Sequence, residues 1–129
     1  MSLEGIVRIS LWITAPFNLV AGFAFAFPAS SLGSLIELPQ QTHNLYAMFS
    51  GAMIALFGAT YLWLSFQTTI HRPVLFVGAC GKSRAVLVSI LLFFSGELAG
   101  VTTVLISGDI VFALLWFCWL FRGSYPSDA

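Results

Sequence analysis

The sequence predicts an all-α integral membrane protein, an antiparallel four-helix bundle with both termini in the cytoplasm. Three observations predict it. Of 129 residues, 59% are hydrophobic and 8% charged. A soluble domain carries roughly 25% charged residues, so too few polar groups remain here to cover a water-facing surface. Four apolar runs approach the ~20 residues that cross a hydrocarbon core. The basic residues, Arg8, Arg72, Lys82, Arg84 and Arg122, all fall in or beside the N-terminus, a central loop or the C-terminus, whereas Glu37 and Asp109 fall in loops on the other side. Positive charge stays on the cytoplasmic side, so this asymmetry orients the bundle.

The first span covers residues 6–27, interrupted by Arg8, Ser10, Thr14 and Asn18 and ended by Pro28. Ala24-Phe25-Ala26 loosely resembles a cleavage site, but the apolar run is too long for a leader and Glu4 spoils the basic start, so it reads as a retained span. In the outer loop, 28–42, Leu32, Leu35, Ile36 and Leu38 line one face of a short helix lying on the membrane surface. The second span covers 44–66. An inner loop follows over 67–83, with His71, Arg72, Pro73, Gly78, Gly81 and Lys82. Its apolar centre, 74–77, either dips into the interface or extends the third helix backwards. The third span covers 84–106. Gly108 and Asp109 form a tight turn into a short fourth span over 108–121, which makes these two helices antiparallel neighbours. Trp12, Tyr46, Tyr61, Trp63, Trp116 and Trp119 include interface anchors, although several sit too deep for an aromatic belt. No internal repeat or low-complexity tract is visible.

Glu97 is the sharpest single feature. It lies near the midpoint of the expected third span, where an ionisable group costs roughly 2.5–3.5 kcal/mol and should face the bundle interior with a partner. Asn18 lies at a matching depth in the first span. Both sit about 13–14 Å below the outer surface at 1.5 Å per residue, so an Asn18–Glu97 hydrogen bond is allowed. Two readings of Glu97 stand side by side: a proton carrier or headgroup anchor, and a neutral, hydrogen-bonded packing residue.

Gly96 and Gly100 bracket Glu97 in a Gly-x-x-x-Gly pair, and Gly51, Ala55 and Ala59 form a small-residue stripe on the second span. Such stripes let backbones approach closely in lipid. His43, Asn44 and Tyr46 cluster at the outer start of the second span near Glu37. One histidine with scattered carboxylates is a weak metal signal, and capping by Thr42 or Asn44 explains much of the polarity, so no metal is expected. Asp109 reads as an N-cap or first-turn residue of the fourth helix. Arg72, Lys82 and Arg84 read as topology determinants and headgroup contacts. On this plan Lys82 and Asp109 lie at opposite membrane faces and cannot meet. Cys80 and Cys118 are far apart, with no Cys-x-x-Cys pair. There is no nucleophile motif and no phosphate loop, so no catalytic residue is assigned. Nor is there a basic patch of the size nucleic acid needs.

The stretches Ala47–Tyr61, Gly78-Ala79-Cys80-Gly81-Lys82 and Gly108–Phe117, with Asn18 after Ala15-Pro16-Phe17, resemble a group of small bacterial four-helix membrane proteins loosely similar to the DoxX-like families. The layout covers nearly the whole chain; its most specific elements are Gly81-Lys82 and Gly108-Asp109. The resemblance implies a bacterial inner membrane and an accessory role beside respiratory quinol oxidation or membrane redox complexes. It carries no catalytic residues, and Glu97 is not part of it. Three functions are therefore expected. The first is a non-catalytic accessory or structural subunit, in a larger complex or a homo-oligomer, holding a lipid or quinone between helices. The second is a small oligomeric carrier or channel with Glu97 as its protonatable site. The third is a membrane enzyme acting on a lipid-soluble substrate.

Overall fold

Each helix starts and stops where local chemistry dictates. The structure, a computed structural model, describes residues 1–122. The Ser2 side chain accepts the Gly5 N–H at 3.1 Å and starts α1, Leu3–Ala26. A five-residue helix follows, α2, Ser31–Leu35, capped by Ser30. His43 Nδ1 accepts the Leu45 N–H at 3.1 Å and starts α3, Asn44–Phe66, so the N-cap is His43 rather than Thr42 or Asn44. α4 runs over Arg72–Phe94, α5 over Gly100–Ser107 and α6 over Asp109–Arg122. α5 and α6 form one continuous span, Gly100–Arg122. The chain thus holds four helices of 23 or 24 residues, apolar enough to cross a membrane. Twenty-three residues rise about 35 Å, slightly more than a hydrocarbon core of about 30 Å.

The first two spans match expectation; the third and fourth do not. The third runs over 72–94, not 84–106, and the fourth over 100–122, not 108–121. Pro73 sits in the first turn of α4, where its missing N–H is harmless and its fixed φ favours the helix. The helix ends in a Schellman motif. Gly96 has φ of +80°, its N–H donates to Phe93 O, and the Glu97 N–H donates to Leu92 O. Gly78, Gly81, Lys82 and Arg84 therefore lie inside α4, and Gly96, Glu97 and Gly100 lie in or beside the following loop. Gly108 keeps right-handed helical angles (φ −57°, ψ −25°), so it interrupts a helix instead of turning the chain.

The chain packs as two hairpins, α1 with α3 and α4 with α5–α6. In the first, Gly22 and Gly51 face each other: a Cβ on Gly22 would come within 2.8 Å of Gly51 O and 2.9 Å of the Ala55 Cβ. The packing role expected for Gly51 and Ala55 is what the structure has; the one expected for Gly96 and Gly100 is not. No heavy atom lies within 4 Å of a Cβ on Gly96, and only Phe93, at 3.8 Å, approaches one on Gly100.

Each hairpin is tied at one end by an arginine in the opening turns of its first helix. Arg8 donates to the carbonyls of Ser65, Gln67 and Thr68 at 3.4, 2.6 and 2.8 Å, capping α3, and pairs with Glu4. Arg72 donates to Leu120 O and lies over the Trp119 ring, capping α6. Cations at helix C-termini oppose the negative end of the macrodipole. At the other end, Thr102 of α5 donates to Ile36 O at 2.5 Å and holds α2 against the bundle. The apolar core joins both hairpins through Val7, Leu11, Tyr61, Leu64, Leu75, Trp116 and Leu120. Most remaining large apolar side chains are exposed, as a lipid-facing surface requires.

Candidate functional site

α4 and α6 run antiparallel, so a residue ten positions after Arg72 and one nine positions after Gly100 reach similar depth. These are Lys82 and Asp109. The Lys82 Nζ donates to Asp109 Oδ1 at 2.9 Å, with side-chain exposures of 3% and 16%. The expectation that they lie at opposite faces is overturned. It rested on a third span drawn about twelve residues too late, which made Lys82 a loop residue.

The ammonium has a second acceptor, Asn18 Oδ1 of α1, at 3.3 Å. The Asn18 amide in turn donates to Ile54 O of α3 at 3.4 Å. Three rings enclose the charge: Tyr61, Phe112 and Trp116 have centroids 5.3, 5.6 and 5.7 Å from Nζ. Ring faces carry negative electrostatic potential, so each attracts the ammonium where water is excluded. All four spans thus meet at one cation: Asn18 from α1, Tyr61 from α3, Lys82 from α4, and Asp109, Phe112 and Trp116 from α6.

Small residues make room for this arrangement. A Cβ on Gly78 would lie 2.8 Å from Tyr61 Cε1 and 3.2 Å from Trp116 Cζ3. The Tyr61 and Trp116 rings meet edge-on at 5.0 Å. Trp116 Nε1 donates to Ser10 Oγ at 2.8 Å, and Ser10 donates to Val7 O. Ser10, Thr14 and Asn18 recur every fourth residue and so share one face of α1. Between its two bonded neighbours, the buried Thr14 hydroxyl has no hydrogen-bond partner among the described residues.

The residues singled out from sequence divide cleanly. Asn18 is in the site, though with Lys82 and not Glu97. Glu97 is exposed in the loop between α4 and α5, where its carboxylate accepts from Ser95 Oγ at 3.3 Å. Arg72 opens α4 at a span end. Lys82 and Arg84 lie mid-span, so neither marks a membrane face. Asp109 does open a helix, α6, but inside the span. Tyr61, Phe112, Trp116, Ser10 and Thr14 were not anticipated as site residues. The period-four polar stripe on α1 and the depth of Tyr61 and Trp116 were the available signals.

The site is charge-neutral. A surface depression of about 610 Å³ lies at the α1–α3 loop, and another of about 170 Å³ lies between α3 and α4. Neither is lined by Lys82, Asp109 or Asn18. The latter is apolar, formed by Met53, Leu56, Phe57, Thr60, Val74 and Val77. Comparison with protein-family models, with curated proteins and with solved structures finds no match for this chain.

Proposed function

We propose that the protein is a non-catalytic integral subunit of a membrane assembly, in which the Lys82–Asp109 pair locks the bundle. The carrying observation is the closure of that pair. The ammonium is 3% exposed, bonded to Asp109 and Asn18, and roofed by three rings. A carrier needs a charge that can be relieved and refilled; this one is held from all four spans. Arg8, Arg72 and Arg122 share one end of the bundle and Glu37 and Glu97 the other, which supports N-terminus and C-terminus on the cytoplasmic side. The resemblance read from Gly81-Lys82 and Gly108-Asp109 supports a bacterial inner membrane. The apolar groove between α3 and α4 is where the tail of a lipid or quinone would lie.

The orphaned Thr14 hydroxyl favours a second reading: a small oligomeric carrier in which Lys82 and Asp109, and not Glu97, titrate. Native mass spectrometry of the protein gently extracted from its own membrane separates the two. A different chain bound at fixed stoichiometry, and retained by the Lys82→Met/Asp109→Leu double variant, supports the subunit. A bare homo-oligomer overturns it.

A further inference from the structure

Deep within the spans, Arg84 is a charge with no partner among the described residues. Arg84 lies in α4 twelve residues after Arg72 and ten before Phe94, about 18 and 15 Å from the two ends at 1.5 Å per residue. It is exposed on the outer face of the bundle. The ion pairs among the described residues are Arg8–Glu4 and Lys82–Asp109, so Arg84 has none. A guanidinium at this depth is costly to leave in lipid, and such groups pair with a carboxylate or a backbone carbonyl.

The surroundings of Arg84 are patterned. Val77, Cys80, Arg84, Leu87, Leu91 and Phe94 are all exposed, and their spacing alternates three, four, three, four, three. This is the spacing of a heptad seam, set within a broader exposed apolar face, with one charged residue at its centre. A polar group at a single seam position sets register and partner choice.

We propose that the outer face of α4 is the docking seam for a transmembrane helix of another protein, one that carries an Asp or Glu at the depth of Arg84. A second copy of this chain does not fit. A two-fold contact along this seam brings Arg84 against Arg84. Among the described residues, Glu4, Glu37 and Glu97 lie at the ends of the bundle, and Asp109, the acid nearest this depth, is engaged by Lys82. The proposal rests on the subunit reading and names the surface that reading requires.

The test places a photo-crosslinking amino acid at Leu87 in the full chain, in its own membrane. The expected adduct is with a different chain that has a carboxylate mid-way along a transmembrane helix. Arg84→Glu should lower its yield about tenfold or more, since like charges then face each other. Exchanging the partner's acid for Arg should restore it. Arg84→Leu should leave the isolated protein at least as stable in detergent, which separates docking from folding. An adduct only with lipid, only with a second copy, or one indifferent to Arg84→Glu overturns the seam. A partner seen at fixed stoichiometry without a Leu87 adduct removes the seam alone; no partner in either experiment removes the subunit reading with it.

Discussion

Cutting the Lys82–Asp109 pair from one side should cost far more than removing it altogether. In Lys82→Met, Asp109 keeps a largely buried carboxylate and loses its donor at 2.9 Å. Breaking a buried pair in this way costs about 3–5 kcal/mol, because the remaining charge is left uncompensated. Two smaller effects add to it. The hydrogen bond to Asn18 disappears, about 1.5–3 kcal/mol for a charged donor. The three rings lose a cation worth about 0.5–2 kcal/mol in a desolvated setting. These overlap with the pair energy, so about 4 kcal/mol is the working figure for either single variant. The Lys82→Met/Asp109→Leu double variant removes both charges and fills the space with apolar atoms. It should lie within about 1 kcal/mol of the parent, or above it. Reversible unfolding in bicelles, run as a double-mutant cycle, measures all three. Additive losses, or a Lys82→Met loss below about 1 kcal/mol, would refute the pair as the lock of the bundle.

Other outcomes follow from the geometry already described. Gly51→Ala should destabilise by about 1–3 kcal/mol because the new methyl overlaps Gly22 O and Ala26, whereas Gly81→Ala, which meets only Phe57 at 3.6 Å, should be neutral or stabilise by about 0.5–1 kcal/mol; the same unfolding assay reads both signs. Gly78→Ala should cost about 1–3 kcal/mol and alter Trp116 emission, since the methyl lands 2.8 Å from the Tyr61 ring; unchanged fluorescence would contradict the packing. Glu37 holds φ of +57° in the turn that ends α2, so Glu37→Gly should raise stability by about 1 kcal/mol, and a loss would mean its side chain matters more than its backbone. Glu97→Gln should change stability by no more than about 0.5 kcal/mol, as for an exposed loop residue; a loss of several kcal/mol would return Glu97 to the bundle interior.

The fold class was legible because it depends on bulk composition and the length of apolar runs. The small-residue contact at Gly51 and Ala55 was legible for a related reason: close helix approach needs no partner to be named. The register of the second half was not. Residues 78–84 contain Gly78, Gly81, Lys82 and Arg84, and each ionisable residue, weighed alone, argues against a span. The structure resolves the conflict with a two-body interaction, Lys82 with Asp109, that no single window of sequence contains. Two local signals bracket α4 correctly: Pro73, suited to a first turn, and Gly96, suited to a left-handed helix end. Taken together they move Glu97 out of the third span and Lys82 into it. Gly81-Lys82 and Gly108-Asp109, the dipeptides that carried the resemblance most specifically, each hold one half of the buried pair.

The way Arg8 and Arg72 cap the returning helix of their own hairpin bears on how the chain enters a bilayer. The α1–α3 hairpin can close as soon as Thr68 is made, because every acceptor of Arg8 lies within it. The second hairpin cannot settle so early. Lys82 precedes Asp109 by 27 residues, roughly 1–5 s of synthesis at 5–20 residues per second. During that interval α4 carries three cations, Arg72 at its start and Lys82 and Arg84 mid-helix, with no carboxylate beside the two inner ones, and is a poor candidate for insertion alone. Asp109 arrives with α6, and the two helices then partition as a unit with one charge fewer to desolvate. Insertion of the second half is therefore expected to be a paired event, with Asp109 needed before Lys82 is neutralised.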